Sequence, residues 1–292
     1  MVGENGRPVI HAPWMDRLEK RCCCVRRLLL LLAVTCLAGA QNTFVNRWLD
    51  NVTRIQNEEP HWISPLVMTT PRLEQKLRED IARHQILGGN VWIFDDGKGL
   101  EFVPARHLAL TFNLPPYLQY NAPQTNDGFG DVSFLLKYRF LARNETNGNY
   151  IVSAFLGGSV PTGSDNNGKN SATVTPTLAG GKGWGRFNLE ASLGGSLPVD
   201  SVDTVGRCIL WDTVAEYKLY RYFWMEAESN TTFYKGGSND GTTQEFVTPG
   251  FQIGRIRPRK RTGLTFGAGM QIATSHYHCY NHALILSGRY SF

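Results

Sequence analysis

The sequence predicts an all-β fold: a transmembrane, antiparallel, up-and-down β-barrel of about 12 strands, of the bacterial outer-membrane type. Three observations predict it. From about residue 105 the chain becomes a series of roughly ten-residue segments with period-two patterning, near the length a tilted membrane strand needs. Between segment starts at 149 and 244 the gaps run 22, 14, 22, 14 and 23 residues, so long polar connections alternate with short ones. The C-terminal segment, ALILSGRYSF, puts Leu284, Leu286, Gly288, Tyr290 and Phe292 on one face.

The elements follow in chain order. Arg21, Arg26 and Arg27 precede the apolar run Leu28–Ala40, which ends Ala38-Gly39-Ala40. A basic region, a short apolar core and small residues at the exit make a secretory signal peptide over 1–40, cleaved after Ala40, with Met15 an alternative start. A lipoprotein signal acylated at Cys36 is the competing reading, with Thr35 where a smaller residue is usual. The run has 13 residues, too few for a membrane helix of about 20. Residues 41–64 read as a periplasmic lead-in, with Phe44, Trp48 and Val52 at helical spacing. In 71–84, Leu73, Leu77 and Ile81 also recur every four residues, which locally favours helix.

The barrel is placed over 65–292, with strands expected over 71–83, 107–113, 130–140, 149–160, 171–180, 185–197, 207–219, 221–233, 244–254, 262–273 and 282–292. A short strand near 90–95 brings the even number that bacterial barrels have. Polar loops at 161–170, 198–206 and 235–244 are assigned to one end, and short turns at 180–184 and Tyr220-Arg221 to the other. A secreted β-sandwich also alternates, but strand length, aromatics at segment ends and the terminal aromatic strand favour the membrane barrel.

Composition narrows the function classes. With 42% apolar residues the chain is not intrinsically disordered. Residues 1–40 carry six of the 30 Lys+Arg and three of the 25 Asp+Glu, so the remainder has a net charge of +2 and no basic bias toward nucleic acid. Cys208 and Cys279 remain after the signal; their pairing is open, and two cysteines make no disulfide framework.

The motifs DGFGDVSFLLKYRF (127–140), FLGGSVPTGS (155–164), VTPTLAGGKGWG (174–185) and SLGGSLPVD (192–200) resemble the outer-membrane β-barrel family named for the meta-pathway of phenol degradation, whose members are described as transporters. The resemblance covers about 65–292, through LTFGAGMQI (264–272) to Phe292, and includes PRLEQ (71–75) as the start of a first strand, against the local helical spacing. The segment 85–104 departs from the pattern by being short and irregular. The resemblance implies a passive outer-membrane channel for small, aromatic or poorly water-soluble molecules. The family's name describes a genetic context and assigns no solute to the lumen.

Charges opposite the apolar faces are the candidate lumen-lining residues: Lys137, Arg139, Arg186, Glu190, Asp212, Glu216, Lys218, Glu226, Glu228 and Arg289. Facing lipid at mid-bilayer, a Lys or Arg costs roughly 2–4 kcal/mol. They either line a solute path or pair with one another and close the barrel. Tyr290 and Phe292 are the expected assembly signal, read by the barrel-assembly machinery. Outer-membrane lipids and a small solute are the other expected partners, and the protein is expected to be a monomer without cofactor. His276, His278 and His282 in SHYHCYNH are weak metal candidates, lacking an acidic ligand or Cys-x-x-Cys. Ser275 and His276 are adjacent, so on a strand they point apart and form no nucleophile–base pair, and no Gly-x-Ser-x-Gly elbow occurs; no enzyme is expected. GGKGWG and FGAGM lack phosphate-loop spacing. RIRPRKR (255–261) reads as a basic periplasmic turn. The rival class is a closed structural or binding barrel, and the more distant one a barrel lipid hydrolase.

Overall fold

A computed structural model describes residues 44–95, 98–169, 171–258 and 261–292; the expected signal peptide and its cleavage site lie outside them. The chain divides into two compact units, Met1–Asp50 and Asn51–Phe292. In the first, the described residues 44–50 are helical; the second continues that helix to 57 and contains the barrel. The helical spacing read over 43–56 therefore forms α1 (44–57).

Fifteen strand segments form one antiparallel sheet: β1 (Lys76–Ile86), β2 (Gly89–Phe94), β3 (Leu100–Ala105), β4 (Leu108–Asn113), β5 (Tyr117–Asn121), β6 (Gly128–Phe129), β7 (Val132–Arg143), β8 (Tyr150–Val160), β9 (Thr173–Trp184), β10 (Phe187–Pro198), β11 (Arg207–Lys218), β12 (Phe223–Lys235), β13 (Thr243–Ile256), β14 (Gly263–Ala273) and β15 (His282–Ser291). The sheet closes on itself, because β15 pairs with β1 from Lys76↔Ser291 to Gln85↔His282. Closure leaves no open edge in the hydrocarbon, where an unpaired backbone group costs several kcal/mol.

The segments occupy 12 positions, because three strands are interrupted. β1 pairs with β2 through Ile81↔Phe94 and with β3 through Leu77↔Leu100, so β2 and β3 are one descending strand broken at 95–99. Likewise β4 and β5 are one strand broken at 114–116, where Pro115 and Pro116 offer no backbone donor, and β6 and β7 are one broken at 130–131. The breaks are neighbours, since Phe94 pairs with Tyr117 and Tyr117 with Phe129. β3 and β5, of six and five residues, were not expected as strands.

Exposure along the wall is inverted relative to a soluble protein. Large apolar side chains such as Leu178, Leu193, Trp211, Met225, Phe266 and Leu286 are exposed, while Lys137, Arg139, Glu190, Glu216, Glu228 and Arg289 are buried. An exposed apolar surface of this extent suits lipid and not water. At one end lie both barrel termini and the turns 144–149, Gly185-Arg186, 219–222 and 257–262; at the other lie 161–172, 199–206, 236–242 and 274–281. These are called the terminal end and the loop end. The three polar loops read from the sequence all fall at the loop end, together with a two-residue turn, Leu87-Gly88, that breaks the alternation of lengths.

Two boundaries differ from expectation. Residues 71–75 belong to no strand, and the first strand starts at Lys76. Residues 180–184 are not a turn but the end of β9, and the glycines there serve a packing purpose described below.

The seam depends on an unbroken ladder through Leu286, which pairs with Ile81 on one side and Ala268 on the other. Leu286→Pro removes a ladder donor from a central strand, normally excluded there. The folded, heat-modifiable band on electrophoresis is expected to disappear in this variant and to persist in Leu286→Val; a persisting band in the proline variant would contradict the closed seam.

Candidate functional site: a lumen filled by residues 58–75

The stretch between α1 and β1 has no strand beside it, yet its residues are deeply buried. Trp62, Ile63, Leu66, Met68 and Leu73 are each at most 3% exposed, and Glu59 and Gln75 are fully covered. Their contacts are with inward-facing side chains from around the wall, so 58–75 is a plug inside the barrel. The lead-in read over 41–64 is thus split: 58–64 joins 65–75 in the lumen.

The plug's backbone is held by side chains instead of by a ladder. Glu228 of β12 accepts hydrogen bonds from the amides of Val67 at 2.8 Å and Met68 at 2.7 Å, and Glu226 accepts from Leu66 N at 3.3 Å. The carbonyls turn the other way. Arg289 of β15 donates to Ser64 O and Pro65 O, Arg78 of β1 to Pro65 O and Leu66 O, and Lys98 to Val67 O. Gln252 donates to Ser64 O at 2.8 Å and Ser153 to Pro71 O at 2.6 Å. Glutamates of β12 therefore take N–H groups of the plug, and cations of β15 and β1 take its carbonyls.

Buried ion pairs fix the plug's two ends. Arg139 Nη1 lies 2.9 Å from Glu59 Oε2 and also donates to Ile55 O at 3.0 Å. At the other end Arg72 meets Glu74 at 3.1 Å and Lys76 pairs with Glu74, while within the wall Lys137 of β7 meets Glu101 of β3 at 3.0 Å. Removing one partner of such a pair strands a buried charge, at a cost of about 3–5 kcal/mol. At the terminal-end turn after β7, His61 donates from its backbone N at 2.5 Å and bonds through Nδ1 at 2.9 Å to Glu145. Partial burial raises this carboxyl, but the bonds from His61 outweigh it and hold Glu145 at about 2.

The wall is cut away where the plug's largest side chains stand. A Cβ added at Gly250, Gly267 or Gly269 would come within 2.6, 2.7 and 2.8 Å of the Leu66 methyls. One at Gly181 would meet the Trp62 ring at 2.7 Å, and one at Gly254 would meet Ile63 at 2.8 Å. Glycine in these strands is clearance for the plug, which explains why GGKGW continues β9 instead of turning. Trp62 Nε1 completes the fit by donating to Asn149 Oδ1 at 3.0 Å.

The candidate residues divide as follows. Lys137, Arg139, Glu226, Glu228 and Arg289 hold the plug. Glu190 and Glu216 are buried on the same inner wall, with Asn188 donating to Glu216 at 2.6 Å. Asp212, nearer the loop end, takes bonds from Ser192 and Asn230, both at 3.0 Å. Lys218 lies at the terminal end with its Nζ 5.4 Å from the centre of the Trp224 ring. Arg186 is exposed in the Gly185-Arg186 turn and not in the strand expected over 185–197, because β9 runs to Trp184 and β10 starts at Phe187. The sequence reading missed Lys76, Arg78 and Asp80. Their alternation with Leu77 and Ile81 in KLREDI was the available signal, masked by the four-residue spacing of Leu73, Leu77 and Ile81.

The loop end is covered too. Tyr280 of the 274–281 loop stacks on His84 at 4.0 Å and on Phe246 at 4.4 Å, with its hydroxyl bonded to Gln271 at 2.6 Å. Ala82, Val91, Ile93 and Ile285 make an apolar cluster against which Val67 of the plug packs. His278 bonds to Ser275 O and Asn281 Oδ1 within the same loop, and no group of three metal-ligating side chains occurs among the described residues. The Ser275 hydroxyl donates to Tyr277 O and accepts from Glu245 N. Cys208 and Cys279 are free thiols.

A family model described as the MetA-pathway of phenol degradation matches residues 74–275. Among solved structures, an outer-membrane channel from Pseudomonas putida F1 has a TM-score of 0.54 at 17% identity, over 79% of this chain and 100% of that one. The KdgM porin in complex with disordered oligogalacturonate has a TM-score of 0.44 at 10% identity, over 74% and 99%. The anion-selective porin from Comamonas acidovorans has 0.35 at 12%, over 69% and 59%. No curated protein matches the chain.

Gly250→Ala crowds Leu66, and overpacking a tight site costs about 1–3 kcal/mol. Urea unfolding of the refolded barrel is expected to show that loss, and adding Leu66→Ala is expected to recover much of it. Strictly additive losses in the double variant would mean that the two positions do not touch.

Proposed function

The chain belongs to the family described as the MetA-pathway of phenol degradation, and from that premise we propose that it is an outer-membrane channel for small molecules whose conductance is set by its own residues 58–75. The observation that carries this reading is the manner in which the plug is held. Its backbone is gripped by side chains, each of which can let go separately, and not by a strand ladder that would have to unzip together. A permanently closed barrel is more simply built by apolar side chains filling the bore. The wall behind the plug is polar, so a displaced plug leaves a surface that water and polar solutes can wet.

Small aromatic or poorly water-soluble molecules are the solute class proposed, carried over from the family resemblance and not from any lumen residue. The membrane setting is supported by the inverted exposure of the wall. An N-terminal signal, assembly through Tyr290 and Phe292, and a monomeric state complete the proposal. The Ser275 hydroxyl is bonded to Tyr277 O and Glu245 N, which supports its reading as a loop residue and not a nucleophile. The competing reading is a barrel closed for good, favoured by the number of buried ion pairs around the plug.

Single-channel conductance of the refolded protein separates the two. Glu228→Ala leaves the amides of Val67 and Met68 without acceptors, at about 1–3 kcal/mol each. Wild-type protein is expected to open rarely and the variant several times more often. A folded variant with no openings would favour the closed barrel. The polar loops at the loop end are expected outside the cell. Tags inserted at Asn167 and Gly237 should label on intact cells, and labelling only after permeabilisation would reverse the orientation.

A further inference from the structure

At the terminal end, a cavity of about 540 Å³ opens between His61 of the plug and the β11–β13 wall. That is the size of a small-molecule pocket. We propose that it is a binding site for a small organic anion, held through its carboxylate or phosphate oxygens by Lys218, Arg221, Arg255 and Arg257.

Among the described residues the lining contains these four cations and no carboxylate. Two of them rest on aromatic rings. Lys218 pairs across the strands with Trp224 and lies 5.4 Å from its ring centre, and the Arg221 guanidinium lies 4.9 Å from that of Tyr222. Such contacts orient a cation without neutralising it. Arg255 is placed by a bulge. It is the extra residue at the register shift between Gly254 and Ile256, in a left-handed conformation (φ 58°) uncommon for a non-glycine residue. The bulge turns its side chain toward the plug, where Nη2 donates to Trp62 O at 2.5 Å and stands 4.0 Å from Glu74. A guanidinium has five donors, so one bond to a carbonyl leaves others for the cavity.

The nearby acids are directed elsewhere. Glu216 and Glu226 form the cross-strand pair next inward from Lys218 and Trp224, and take bonds from Asn188 and Gln252. Glu145 is bonded to His61. Lys218, Arg221 and Arg257 have no carboxylate within ion-pair distance among the described residues. A cavity lined by charge of one sign draws in a counter-ion. Its volume exceeds that of bare phosphate, and Tyr222, Trp224 and Ile256 offer surface for an organic part. Lys218 and Trp224 face the bore and His61 belongs to the plug, so a dissolved anion reaches the site more readily than a lipid headgroup does.

The proposal does not depend on conduction, since a plugged barrel can still bind. The test titrates full-length, refolded protein with benzoate, inorganic phosphate and uncharged benzyl alcohol, read by calorimetry. Benzoate is expected to bind saturably and benzyl alcohol not at all. In the variant carrying Lys218→Gln, Arg221→Gln and Arg257→Gln, benzoate binding is expected to weaken about tenfold or more. The heat-modifiable band controls for folding, and Arg257→Gln alone, in a turn, serves if the triple variant fails to fold. Equal binding of benzyl alcohol, or benzoate binding indifferent to the substitutions, would overturn the site. So would the absence of benzoate and phosphate binding alongside phosphatidylglycerol that co-purifies with wild type but not with the variant, which would assign the cations to a headgroup.

Discussion

Residues 58–75 carry a row of amides and carbonyls into the bore with no neighbouring strand to take them, and the interior of this barrel is organised around satisfying that row. A buried backbone group without a partner costs as much as a lost hydrogen bond. The partners are therefore brought in as side chains long enough to reach the axis: carboxylates of Glu226 and Glu228 for the amides, guanidiniums of Arg78 and Arg289 for the carbonyls. The separation of sign between the two walls follows from the two ends of the peptide group. Glu226, Glu228, Arg78 and Arg289 are thus engaged in bonding the plug's backbone.

Fitting the plug inside a 12-position barrel also sets the wall's composition. Glycine at 250, 267 and 269 makes room for Leu66, and at 181 and 183 for Trp62. These positions sacrifice strand propensity on the inner face, which the closed hydrogen-bond ladder can bear because it does not depend on side-chain packing there. The interruptions at 95–99, 114–116 and 130–131 fall on neighbouring strands, and Lys98, in the first of them, reaches Val67 O. The wall is thus least regular beside the plug's innermost bend.

The two mouths are built differently. At the loop end, Tyr280 and an apolar cluster cover the bore. At the terminal end, four cations line an open cavity, and one of them, Arg255, is tied to the plug at Trp62 O and Glu74.

The sequence by itself determined the wall. Period-two alternation, segment length and loop rhythm are local properties, because each strand must present apolar atoms to lipid on every second residue regardless of what its neighbours do. Hence β7 to β15 were legible, and with them the inward parity of Lys137, Arg139, Glu226, Glu228 and Arg289. Arg186 was misplaced because glycines that make room for Trp62 look, locally, like a turn. What only the tertiary structure decided is the content of the bore. Residues 58–75 have no repeating pattern, since they are matched to different points on a wall assembled from distant strands, such as Gln252 and Arg289, 188 and 225 residues away, meeting Ser64. Complementarity of that kind is a property of closed barrel and plug together, and no window of the chain contains it.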